Sequence, residues 1–173
     1  GCAVIINSFF VGMVSGESGT LFVLSSDSGY GFIGKLEDMF TKNKAGKAII
    51  SVPEGGLVNR PALIEAGKDS YVAAFSNEGR LLIFLAKDLP RLGRGKGVKM
   101  INIPKARVES REEFMAHVRV FSDKDTLVVH SGKRTLSLKI DELEHYRGER
   151  ARRGLKLPRG FQRVDDVTIE KRS

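Results

Sequence analysis

At 173 residues, 41% of them apolar, the chain is long enough to bury a core as one domain or as a row of similar units, and its composition excludes intrinsic disorder. Lys and Arg total 29 against 21 Asp and Glu, a formal net charge of +8, which favours a polyanionic partner, nucleic acid ahead of an anionic membrane surface. A single cysteine, Cys2, excludes an internal disulfide, suits a reducing compartment and reads as an inert thiol.

The first stretch is rather apolar, but no Lys or Arg precedes Lys35, so the basic start of a secretory signal is missing. No apolar run approaches the ~18 residues of a spanning helix. The expectation is a soluble, cytoplasmic chain without a membrane partner.

In chain order, residues 1–20 read as the end of a preceding unit, and three units follow at about 21–64, 70–121 and 126–170. The first opens with Leu21-Phe22-Val23-Leu24, turns through Ser26-Asp27-Ser28-Gly29 and returns over residues 30–35. An acidic piece follows, Leu36-Glu37-Asp38-Met39, then a basic loop over 41–47 with Lys42, Lys44 and Lys47, then a strand over 48–52. The second unit repeats this order. Tyr71-Val72-Ala73-Ala74-Phe75 leads into Ser76-Asn77-Glu78-Gly79 and a return strand over 80–84. Ala86-Lys87-Asp88-Leu89, a basic loop over 91–97 and a strand over 98–103 complete it. The third has Thr126-Leu127-Val128-Val129, His130-Ser131-Gly132-Lys133 and a return strand over 135–140. Ile140-Asp141-Glu142-Leu143 then precedes the basic loop 147–154 and a strand at about 155–159.

Gly79 follows Gly29 by 50 residues and Gly132 follows Gly79 by 53. Glycine belongs in such hairpin turns because they need a positive φ. Four short strands per unit of this length predict an all-β, propeller-like fold, an open arc of about three units plus partial terminal ones. No helix longer than about three turns is expected.

Several segments carry a family resemblance in order along the chain. They are Ser28-Gly29-Tyr30-Gly31-Phe32, residues 43–48, residues 88–97, Ile101-Asn102-Ile103-Pro104, and residues 148–154. Together they resemble the C-terminal domain of the DNA topoisomerase IV A subunit, a relative of the gyrase A tail, from about Leu21 onward. The resemblance implies a β-pinwheel of blades, often open, that bends or steers duplex DNA for a bacterial, chromosome-associated type II topoisomerase. It also implies partners in the parent enzyme: the ATPase subunit, and the N-terminal breakage-reunion region of the same polypeptide. The catalytic tyrosine, ATP and Mg would belong to those other regions, so this chain is expected to hold no catalytic residue and no cofactor. Residues 91–97 are a degenerate form of the gyrase box, lacking its glutamine and paired arginines, and so do not imply gyrase-like full wrapping.

The expected DNA-binding residues are Lys42, Lys44, Lys47, Arg91, Arg94, Lys96, Lys99, Arg147, Arg150, Arg152, Arg153, Lys156 and Arg159. A run of cations is ordinarily a solvated face. Here it recurs at one place in every unit, so the loops should share a surface and form a track against phosphates, with little sequence preference. Glycines between the cations let backbone N–H groups approach an anion. The loops have few aromatics, which argues against stacking on single strands. Arg150, Arg152 and Arg153 form the densest cluster, offset locally only by Glu149, and are expected to matter most for binding and little for folding. The alternative is a propeller that docks another protein, with an incidental basic rim.

Other motifs reduce to structure. Gly29-Tyr30-Gly31-Phe32-Ile33-Gly34 fits G-x-G-x-x-G, but it starts in a hairpin turn and continues as a strand, where a dinucleotide site needs a helix. Gly93-Arg94-Gly95-Lys96-Gly97 lacks Walker spacing and the following Ser or Thr. His117, His130 and His145 have no metal-ligand spacing. Glu37-Asp38 and Asp141-Glu142 read as acids that start short helical turns.

Overall fold

The computed structural model describes residues 2–4, 20–35, 50–52, 55–64 and 69–171. The first basic loop, with Lys42, Lys44 and Lys47, and the acidic piece before it lie outside these residues. Among the described residues the strands are β1 (Cys2–Val4), β2 (Leu21–Ser25), β3 (Tyr30–Lys35), β4 (Ile50–Val52), β5 (Ala62–Ile64), β6 (Tyr71–Ser76) and β7 (Arg80–Leu85). They continue with β8 (Val98–Lys99), β9 (Met115–Phe121), β10 (Thr126–Ser131), β11 (Arg134–Leu138), β12 (Leu155–Lys156) and β13 (Asp166–Glu170). α-Helix is confined to Lys105–Glu109 and Ile140–Leu143 among these residues.

Each repeated apolar run becomes an antiparallel hairpin: β2 with β3, β6 with β7 and β10 with β11. The turn glycines Gly29, Gly79 and Gly132 all have positive φ, at 95°, 81° and 59°. The hairpins become blades by adding strands at their edges, in the orders β5-β2-β3-β8, β12-β7-β6-β9 and β11-β10-β13, with β1 and β4 forming a fourth, two-stranded sheet. Among the described residues the sheets do not close into a ring. This is the all-β, propeller-like architecture that the repeat predicts.

The middle blade shows why its strands read as nearly continuous apolar runs. Successive side chains of a strand face opposite ways. Val72 and Ala74 of β6, with Leu82 and Phe84 of β7, pack in one core with Val23, Ile33, Met100, Ile101 and Val118. Their neighbours Ala73, Phe75, Leu81 and Ile83 pack in a second core with Phe121, Leu127, Val129, Leu143 and Tyr146. A blade covered on both faces keeps no polar alternation. Cores between blades, rather than within them, hold the arc together.

The blades do not follow the sequence units. The strand after each basic loop crosses to the preceding hairpin: β8 pairs with β3 at Gly31 and Tyr30, and β12 with β7 at Leu81 and Arg80. These strands are also shorter than the expected 98–103 and 155–159, because the chain then dives inward. Met100 and Ile101 are adjacent and both fully buried, and the Met100 N–H donates to the Gly29 carbonyl at 2.7 Å. Leu157 repeats this at the next blade, buried and bonded to the Gly79 carbonyl at 2.8 Å. Each unit thus lends an edge strand and a core plug to its predecessor.

Candidate nucleic-acid interface

β9 packs against both β5 and β13, so these three strands lie toward the middle of the arc. β8 and β12 occupy the opposite edges of their sheets, which places them on the outer rim. The second and third basic loops lead directly into β8 and β12, so both are rim loops.

Their backbones run the same course. In the second loop, the Leu92 N–H donates to the Ile33 carbonyl at 3.0 Å, and the Gly95 carbonyl accepts from Ser51 at 2.9 Å before the chain returns to pair with β3. In the third, the Gly148 N–H donates to the Ile83 carbonyl at 2.9 Å, and the Arg152 carbonyl accepts from Asn102 at 2.8 Å before the return to β7. Each loop is therefore a strap that ties one blade to the next. Gly97 and Gly154 end the two straps with φ of 80° and 77°. A Cβ at Gly97 would run into the Gly31 carbonyl and one at Gly154 would meet the Leu81 carbonyl, so both positions require glycine.

Pinned backbones fix where the cations leave the chain. Arg91, Arg94 and Lys96 are exposed, with no acidic partner among the described residues. The Lys96 ammonium lies 4.4 Å from the centre of the Tyr30 ring. Lys99 sits across from Tyr30 on β8, and its Nζ reaches Asn102 Oδ1 at 3.4 Å. The third strap meets the strand that the second strap leads into: Arg150 donates to the Lys99 carbonyl of β8 at 2.6 Å, and the Ala151 N–H to the Met100 carbonyl at 3.0 Å. The structure thus brings the second and third basic loops onto one stretch of rim. The place of Lys42, Lys44 and Lys47 on that surface falls outside the described residues.

The third strap is less free than its composition implies. Arg147 pairs with Glu144 at 2.9 Å, a hydrogen bond that raises its pKa, and stacks over Tyr71 at 5.0 Å. Arg152 is exposed but pairs with Glu149 at 3.1 Å. Arg153 turns inward, and its guanidinium donates to both oxygens of Glu113, whose side chain is 0% exposed. Burial pushes the Glu113 carboxyl up, but hydrogen bonds from Arg153 and Ser76 and the charges of Arg153 and Arg107 outweigh it and hold the group below its ordinary value. Lys156 and Arg159 are exposed beyond the strap. Glu149 is therefore not the only offsetting acid, and Arg153 is built into the fold. Of the three arginines expected to matter little for folding, Arg153 is thus tied to a buried carboxylate, whereas Arg152 stays exposed. Glu113 was not legible in the sequence, where the pair Glu112-Glu113 carries no sign that one of the two is buried.

The segment fitting G-x-G-x-x-G is turn and strand β3. The Ile140–Leu143 helix holds Asp141 and Glu142 in its first turn, and Glu142 accepts from the Lys139 N–H at 2.7 Å. The His117 ring reaches the Val164 carbonyl at 3.2 Å, and burial lowers its pKa. His130 contacts Thr168 Oγ1 at 2.9 Å, and His145 packs edge-on against Tyr146. No cluster of three or more His, Cys, Asp or Glu suited to a metal occurs among the described residues. No helix among them is long and apolar enough to cross a membrane.

A strand-exchanged arc of blades with a cationic outer rim defines an open, propeller-like domain. A family model described as "DNA gyrase C-terminal domain, beta-propeller" matches residues 70–120. The A subunit of DNA topoisomerase 4 from Pseudomonas aeruginosa is 54% identical over 154 residues, covering 89% of this chain and 20% of that protein. Its Escherichia coli K12 counterpart is 43% identical over 148 residues, covering 86% of this chain and 19% of that protein. The solved E. coli ParC C-terminal domain superposes with a TM-score of 0.82 at 40% identity, over 91% of this chain and 63% of that one. A DNA gyrase A C-terminal domain shares the fold at 17% identity, with a TM-score of 0.67 over 90% of this chain and 50% of that one. The chain belongs to the family of C-terminal domains of the topoisomerase IV and gyrase A subunits. It spans about a fifth of the length of the curated relatives it matches.

Proposed function

We propose that the outer rim binds duplex DNA without strong sequence preference and bends or steers it for a type II topoisomerase, supporting relaxation and decatenation by the whole enzyme. One observation carries this reading. Two basic straps are pinned by equivalent backbone hydrogen bonds, and the third reaches the strand that the second leads into through Arg150 and the Lys99 carbonyl, which favours their cations acting along one rim. Duplex DNA carries a charge about every 1.7 Å of its axis, so a row of cations on a pinned backbone can neutralise several phosphates without ordering the backbone on binding. Phosphate contacts position a duplex without reading it. Family membership supports the same partner.

In this reading the chain supplies no catalytic residue. Bond breakage, ATP and Mg belong to the breakage-reunion region and the ATPase subunit, and the setting is the bacterial cytoplasm, at the chromosome. The test is titration of the chain with unrelated duplexes and with single strands of equal length. Similar affinity for all duplexes and weaker binding to single strands are expected. Binding confined to one sequence, or none to any duplex, overturns the reading.

A further inference from the structure

Arg153 and Glu113 join three separate parts of the chain. Glu113 lies between the Lys105–Glu109 helix and β9, with its carboxylate fully buried. Arg153 of the third strap holds both of its oxygens. Arg107 of the helix adds its Nε at 3.3 Å and extends on to Glu78, in the middle-blade hairpin turn, at 2.8 Å. Ser76 of the same turn also hydrogen-bonds Glu113. A planar guanidinium engaging both carboxylate oxygens fixes orientation as well as position. The strap residue just before it, Arg152, keeps 69% of its side chain exposed on the rim. The Arg80 guanidinium holds the strap from the other side, donating to the Gly154 carbonyl at 3.1 Å.

Resting on the reading that the rim binds duplex DNA, we infer that Arg153 and Glu113 form a positioning pair that aims Arg150 and Arg152 at the phosphates, and that Arg153 itself makes no phosphate contact. The competing role for Arg153 is that of one more rim cation, with Glu113 an acid that holds it back. The two roles predict opposite signs for one substitution. Glu113→Gln removes a negative charge and releases Arg153. If Arg153 is a phosphate contact, binding tightens. If it positions the strap, binding weakens although the protein has become more positive.

The experiment follows a labelled mixed-sequence duplex by fluorescence anisotropy as the chain is titrated across a salt series, for the wild type, E113Q and R153K. Positioning predicts that E113Q weakens binding by about threefold or more at low salt and flattens the salt dependence by about one phosphate's worth. R153K keeps the charge but loses the two-pronged geometry, so it shows a similar loss. A structural pair alone would lower the melting temperature and leave the salt slope of the folded variant unchanged. Circular dichroism establishes which variants are folded at the assay temperature; should E113Q fail, R153K carries the test, because a lysine still pairs with Glu113. Wild-type affinity and slope in R153K, or equal or tighter binding by E113Q, overturns the positioning role while leaving the rim reading intact. No duplex binding by the wild type overturns both.

Discussion

Individual cations on the rim differ in what they are free to do. Arg91, Arg94 and Lys96 face solvent without acidic partners among the described residues, whereas Arg147 and Arg152 are each paired with a glutamate. The double substitution Arg94→Ala with Lys96→Ala should therefore weaken duplex binding more than Arg152→Ala, and flatten the log–log salt slope by about 0.9 for each phosphate no longer neutralised. Thermal unfolding should change little, since exposed substitutions of this kind usually stay within about 0.5 kcal/mol. Arg153→Ala should behave differently and cost on the order of 2 kcal/mol, because it strips a buried carboxylate of its main partner while Arg107 remains. Glu113 also gives the fold a pH signature. Its folded pKa is depressed, so its stabilisation is present above the ordinary carboxylate range and is lost as pH falls through the folded value. Melting temperatures measured across the acid range should fall more steeply for the wild type than for E113Q.

Strands and straps were unequally legible in the sequence. The hairpins were evident because each apolar run ends in a polar turn with a glycine, as at Gly29 and Gly79. The inner strands β5, β9 and β13 were not, because charged or polar residues such as Arg119 and Thr168 break their apolar pattern; Arg119 sits there with its Nε on the Val167 carbonyl at 2.8 Å. The exchange of β8 and β12 between units could not be read either, since a two-residue strand has no periodicity and its pairing is fixed by the strap before it. The plug behind each strand makes that exchange cohesive. Phe75, wholly buried between the middle and third blades, should cost about 3–5 kcal/mol when replaced by Ala, read by chemical denaturation. Gly97→Ala should destabilise through the strap, because its φ of 80° and the Gly31 carbonyl both oppose a Cβ. Its signature would be reduced duplex affinity together with reduced stability, without any change in charge.

At the scale of the whole molecule, the fold explains why a basic loop recurs once per unit. The loop must cross from one blade to the next, and at that crossing it lies on the outer edge, with Arg150 of the third strap on the Lys99 carbonyl of the neighbouring edge strand β8. Repetition in the sequence therefore becomes continuity on the rim. The sequence carried the sign and the recurrence of these charges and the offset by Glu149, but not the engagement of Arg153 by Glu113 or of Arg147 by Glu144. The most direct test of the rim is the salt dependence of mixed-sequence duplex binding by the chain, compared with a variant in which Arg91, Arg94 and Lys96 are all alanine. The account predicts a steep loss of wild-type affinity with salt, and for the variant weaker binding to every sequence with a clearly flatter slope. A folded variant with wild-type affinity and slope would show that these cations are only a solvated face.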